Sequence, residues 1–122
     1  MHKPIILSTG MRNISEITSA VQIIKNEKCP FAILHCISSY PTKISDTNLS
    51  TIPFLKKLFD TPIGFSDHTI GIEASLAAVS LGATIIEKHF TLDKKMNGPD
   101  QKLSLEPNEL LDLTTKIREI EK

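Results

Sequence analysis

Four short apolar runs recur along this chain, at 4–10 (PIILSTG), 31–36 (FAILHC), 62–68 (PIGFSDH) and 83–90 (ATIIEKHF), and none of them alternates with polar residues. Continuous apolar runs of this length mark strands buried on both faces of a parallel sheet, since neither face is left to water. Helical patterns lie between them. Residues 14–26 set Ile14, Ile17, Val21 and Ile24 on one face at spacings of three and four, with Asn13 placed as N-cap and Glu16 as its capping-box partner. Residues 49–59 continue the pattern through Leu49, Ile52, Leu55, Leu58 and Phe59, with Pro53 tolerable only in the first turn. Residues 72–81 are small and apolar nearly all round, as in a helix packed closely on a sheet, and Gly82 closes them. Residues 106–121 begin with Pro107 near the first helical position and carry Leu110, Leu113 and Ile117 on one stripe, flanked by Leu111 and Ile120. The order β-α-β-α-β-α-β-α implies parallel strands with right-handed crossovers, either a doubly wound sheet or part of a (β/α)8 barrel. Spacing alone does not choose between them.

At 122 residues the chain suffices for one core but falls short of the ~250 residues that a closed barrel usually takes, so a barrel-like pattern would be half of a domain. Lys and Arg number 14, as do Asp and Glu, with no acidic or basic block; this argues against nucleic acid or an anionic membrane as partner. The longest strongly apolar stretch, 74–81, is eight residues long and interrupted by serines, against the ~20 of a membrane span. Met1-His2-Lys3-Pro4 leads into an apolar run too short for a secretory signal, and His2 reads as incidental. A cytoplasmic protein is expected. Cys29 and Cys36, without CxxC spacing, read as ordinary buried thiols.

In either parallel architecture, function gathers at the carboxyl ends of the strands. Here those ends are polar: Ser8-Thr9-Gly10, Ser38-Ser39-Tyr40-Pro41, Ser66-Asp67-His68-Thr69 and Glu87-Lys88-His89-Phe90. His68 and His89 end consecutive strands, and neighbouring strands run ~4.8 Å apart, which lets two imidazoles converge on one divalent cation. With no third protein ligand in view, the open positions would suit substrate or water; the alternative is two hydrogen-bonded histidines and no metal. Ser8, Ser38 and Ser66, with Gly10 and Gly64 permitting close backbone approach, can cradle a phosphate, although serines also simply favour such loops. Asn97-Gly98-Pro99-Asp100 is a turn signal, and Asp100 either orients a polar substrate or is a solvated turn residue. His35, inside the second strand, reads as a satisfied interior histidine.

Taken together, these strand ends resemble the N-acetylneuraminate (sialic acid) synthase family, which includes legionaminate and related nonulosonate synthases. The resemblance runs through KPIILSTGM at 3–11, ILHCISSYPT at 33–42, NLSTIP at 48–53, GFSDHTIGIEASLAAVSLGA at 64–83, IIEKHFTLD at 85–93 and GPDQKLSLEP at 98–107. It implies a (β/α)8 catalytic domain of which these would be strands five to eight, with residues 1–122 forming its C-terminal half. It implies that His68 and His89 hold a divalent metal, manganese or alternatively magnesium. Ser8, Ser38 and Ser66 would help hold the phosphate of phosphoenolpyruvate, and Tyr40 and Asp100 would contact the acylated amino sugar. The implied reaction is attack of phosphoenolpyruvate C3 on the open-chain aldehyde of N-acetylmannosamine or a relative, with the metal as Lewis acid; water then adds and phosphate leaves by C–O cleavage.

Two positions depart from the family pattern. Ile37 stands where threonine is frequent, and Gln101 follows GPD where histidine is common, which bears on sugar specificity. The family's first four strands, with the lysine and acidic groups of the phosphoenolpyruvate pocket, have no counterpart, nor has its C-terminal antifreeze-like domain. The expectation is thus an enzyme segment inactive alone, belonging to a family of homodimers. The competing expectations are a half-barrel remnant without turnover, prone to self-association through its open edges, and a two-histidine hydrolase with Asp67 or Glu87 as base.

Overall fold

The computed structural model describes residues 3–122, so His2 lies outside the described residues. The elements run β1 (Ile5–Ser8), α1 (Ile14–Asn26), β2 (Phe31–Cys36), α2 (Thr51–Leu58), β3 (Ile63–Asp67), α3 (Glu73–Ser80), β4 (Ile85–Lys88) and α4 (Pro107–Ile120). The expected alternation is present throughout. Helix α1 has the expected bounds, and its capping box forms with Asn13 accepting from the Glu16 N–H. Helix α2 starts two residues later than the pattern suggests. Pro53 has no N–H to return to the Leu49 carbonyl, so the helix opens at Thr51, where Pro53 sits among the first-turn residues that need no intrahelical partner. Leu49 instead lies in the preceding turn and still packs on the core. Gly82 follows α3 at φ +96, a conformation that suits glycine.

All four strands are parallel, in the order β1-β2-β3-β4. Partners in register share a face, so Ile33, Ile63, Phe65 and Ile86 look one way while Leu34, Gly64, Ser66 and Glu87 look the other. The main core gathers Ile17 and Val21 of α1, Ile52 and Leu55 of α2, and Ala74 and Ala78 of α3 against the first of these faces only. Each fully buried side chain of the Ile33 or Leu55 kind contributes about 1.5–3 kcal/mol. A doubly wound sheet would reverse its strand order and carry helices on both faces. Sequential order with helices on one face is the geometry of a barrel wall, so the chain forms part of a (β/α)8 barrel.

Helix α4 packs on α3 rather than on the sheet, through Leu113 and the partly buried Ile117 against Ile72 and Leu105. Of its expected stripe only Leu113 is fully buried; Leu110, Leu111 and Ile120 are exposed because no described element covers that side. Cys36 is buried as expected, whereas Cys29 is only half-buried, standing in the α1–β2 turn outside the core. Among the described residues, no helix is long and apolar enough to cross a membrane.

Candidate functional site

The open face ends in a cluster built on β2, β3 and β4. His68 directly follows β3 and His89 directly follows β4, with ring centroids 5.7 Å apart and nearly perpendicular. Tyr40, from the loop after β2, stacks on His68 at 4.1 Å and meets the edge of His89 at 5.3 Å. The Tyr40–Pro41 peptide is cis. Asp100 comes from the loop after β4, with Oδ2 3.7 Å from His89 Nδ1. That loop is fixed at several points: Leu105 N–H donates to the His89 carbonyl at 2.8 Å, Lys94 N–H to Glu106 Oε1 at 2.8 Å, and the Lys94 ammonium to Glu109.

Hydrogen bonds assign the tautomer of His68. Nδ1 lies 2.8 Å from the Ile37 carbonyl, which only accepts, so Nδ1 carries the proton and Nε2 presents its lone pair. Nε2 receives the Tyr40 hydroxyl at 3.0 Å, and Ser66 Oγ stands 3.3 Å away. Ser66 gives its own proton to Glu87 Oε1 at 2.6 Å. Partial desolvation first, and then the neighbouring acidic groups, the Asp100 and Glu87 carboxylates among them, push the Tyr40 hydroxyl above its ordinary pKa of 10.0, so it remains a donor at neutral pH. A histidine whose Nδ1–H is held by a backbone carbonyl is in the form that ligates a metal through Nε2. Among the described residues, no three His, Cys, Asp or Glu side chains form a metal-holding group. The donors that a cation could meet here are thus the imidazoles of His68 and His89, a pair rather than a group of three.

The expected site residues divide into two groups. His68, His89, Tyr40, Ser66 and Asp100 come together. Ser8 and Ser38 are exposed at the ends of β1 and β2, without a described contact to the histidines. Ser38 Oγ stands against Gly10, where a side chain would collide with it. Gly64 has a different role: a Cβ there would strike Leu34 and Ile85 on the open face. His35 is buried on the helix face as expected, with Nε2 2.7 Å from the Thr47 carbonyl and its ring stacked on Phe65.

Sequence reasoning gave Glu87 no place beside Ser66 and overlooked the Ile37 carbonyl. A signal for Glu87 exists, because Ser66-Asp67-His68 and Glu87-Lys88-His89 align residue for residue in the register. The same alignment turns Asp67 and Lys88 to the helix face, where their side chains form a 3.0 Å ion pair with 0% and 4% exposure. Asp67 is therefore unable to serve as a base beside the histidines.

A cleft of about 600 Å³ opens elsewhere, between the start of α1 and α2, lined among others by Arg12, His35 and Phe54. It contains none of the candidate residues. The histidine cluster is the better site because hydrogen-bonded polar groups converge there at strand ends.

A family model described as the NeuB family matches residues 1–122. The chain belongs to the NeuB family. It is 52% identical over 125 residues to the N,N'-diacetyllegionaminic acid synthase of Campylobacter jejuni, covering 100% of this chain and 37% of that protein. It is 43% identical over 121 residues to the human N-acetylneuraminate-9-phosphate synthase, covering 98% of this chain and 34% of that protein. The crystal structure of the N-acetylneuraminic acid synthetase of Leptospira borgpetersenii in complex with citrate superposes with a TM-score of 0.92 at 51% identity, covering 94% of this chain and 40% of that one. The chain thus spans little more than a third of the length of the curated relatives it matches.

Proposed function

We propose that this NeuB-family chain carries the metal and sugar side of a nonulosonate synthase active site. The reaction joins phosphoenolpyruvate to N-acetylmannosamine or a related acylated amino sugar, giving a nonulosonic acid such as N-acetylneuraminate with C–O cleavage and phosphate release. The convergence of His68 and His89 at adjacent strand ends, with Tyr40 stacked on His68 and edge-on to His89 and with Asp100 beside His89, carries this reading. In this reading the four units are strands five to eight of the catalytic barrel.

His68 and His89 would hold a divalent cation, Mn2+ or alternatively Mg2+, which when bound supplies Lewis-acid polarisation of a carbonyl oxygen. The Ile37 carbonyl keeps His68 in the ligating tautomer. Tyr40 donates its hydroxyl proton to a sugar oxygen once His68 Nε2 is otherwise engaged, and Asp100 accepts from a sugar hydroxyl. Ser8 and Ser38, exposed at the ends of the paired strands β1 and β2, offer hydroxyls to the phosphate. Ser66 joins them by turning its proton away from Glu87. Positioning and charge stabilisation, rather than a covalent enzyme intermediate, dominate in such a site.

The test supplies phosphoenolpyruvate, N-acetylmannosamine and Mn2+, and measures phosphate release and nonulosonate formation. It is run with the chain alone, with a separately expressed N-terminal barrel half of the Campylobacter jejuni relative, and with the His68→Ala/His89→Ala double variant. Expected are silence alone, product on complementation, and none from the double variant. Product that survives the double substitution would overturn the histidine assignment. A second reading, a half-barrel that binds metal or phosphate without turnover, is favoured by the open inner face of the sheet, where Ile6 is 62% exposed. Mn2+ binding with no product on complementation would select it.

A further inference from the structure

We propose that the buried Asp67–Lys88 ion pair is a positioning device that fixes His68 and His89 relative to each other from the opposite side of the sheet. The proposal rests on the reading of these histidines as a shared cation site. Asp67 and Lys88 end β3 and β4 in register, and each precedes one of the histidines. Lys88 Nζ lies 3.0 Å from Asp67 Oδ2 and donates to the Thr69 carbonyl at 2.7 Å. Asp67 Oδ1 accepts the Thr69 N–H at 2.8 Å, and Ser75 of α3 donates to Oδ2 at 2.6 Å. Both peptide groups of Thr69, the residue after His68, are thereby held, one by Asp67 and one by the residue that precedes His89. Lys88 is thus bonded covalently to one histidine segment and by hydrogen bonds to the other.

Stability does not account for such a pair. Desolvating two charges costs about what their attraction returns, and apolar replacements of similar volume are often as stable or more so. The pair differs from an apolar contact in direction, because the ammonium and carboxylate bond named backbone groups along defined lines. A fixed separation is what two imidazoles sharing one ion require, and removing the groups that orient ligands typically costs 10–100-fold in metal affinity.

The decisive comparison is Mn2+ affinity, read from the electron paramagnetic resonance signal of free Mn2+, in the unaltered protein and in Asp67→Asn/Lys88→Met, which removes both charges together. Circular dichroism and the melting midpoint report the fold of each. The expected result is a folded double variant that binds Mn2+ about 10-fold or more weakly. A folded variant with unchanged affinity overturns the proposal. Should the double variant fail to fold, Ser75→Ala, which removes one hydrogen bond from Asp67, is expected to weaken binding in the same direction, and unchanged affinity there overturns it equally.

Metal-free imidazole NMR separates this claim from the cation reading. One set of ring signals per histidine with a protected His68 Nδ1 proton is expected in the unaltered protein, and broadened or multiple sets in the variant. If the unaltered protein binds no Mn2+ yet the signals respond in this way, the cation reading fails and the positioning claim stands. Unchanged ring signals overturn it.

Discussion

His35 and His68 are both buried, at 5% and 9% exposure, yet their positions on the sheet give them opposite surroundings. His35 is in register with Phe65 and faces the apolar helix side, whereas His68 follows Asp67 into the polar end of the open face. Desolvation holds the His35 pKa below its ordinary 6.5, outweighing the opposing effect of the bond to Thr47. Because the folded pKa is depressed, the unfolded chain takes up a proton below pH 6.5 that the folded chain refuses. Stability present above that pH is therefore lost as pH falls toward the folded pKa. Denaturant unfolding at pH 7.5 and at 5.5 should show a smaller loss for His35→Gln, which can still donate to the Thr47 carbonyl, than for the unaltered protein. Equal losses would place the pH dependence elsewhere. Much of the site was legible at this scale, since the repeated polar-charged-His ending of two strands announces converging imidazoles. The Ile37 carbonyl was not, because a backbone acceptor carries no residue-type signal, and Glu87 became assignable only once the β3–β4 register placed it opposite Ser66.

Helices were legible where their determinants are local. The start of α1 depends on two side chains three residues apart, Asn13 and Glu16, which satisfy each other's backbone N–H groups. Helix α4 repeats the device with Glu106 and Glu109 around Pro107. Asn13→Ala should cost about 1 kcal/mol of stability, read from the urea midpoint at unchanged slope. No measurable change would mean that packing of Ile17 and Val21 alone positions the helix. The side of the sheet on which the helices sit was not legible, because continuous apolar strands look alike on both faces. That choice is nonlocal: Gly64 leaves room on the open face only for the Leu34 and Ile85 side chains, while the larger Phe65 points toward the helices. The exposed side of α4 escaped for the same reason, since its stripe of leucines records a face available for burial without recording whether anything covers it.

For the whole molecule, the governing fact is a parallel sheet whose end strands each have one described neighbour, β1 pairing with β2 and β4 with β3. A barrel removes such edges by closing on itself. An open wall leaves a row of backbone donors and acceptors unpaired and exposes inner-face side chains such as Ile6, at 62%. Both features favour strand pairing with another copy: hydrogen bonds supply direction, and burial of an isoleucine adds about 1.5–3 kcal/mol. The 122-residue chain is therefore expected to form concentration-dependent dimers or higher species at micromolar protein in sedimentation velocity. Ile6→Lys places a charge on the edge strand, a device by which natural edges resist pairing, and should weaken the association by about 10-fold. The substitution touches none of the proposed metal, phosphate or sugar groups, so Mn2+ affinity should be unchanged while the dimer dissociates. A chain that stays monomeric at every concentration would mean that the β1 and β4 edges are protected by their own flanking segments. The open face would then be a stable surface, and the half-barrel reading would lose its basis for self-association.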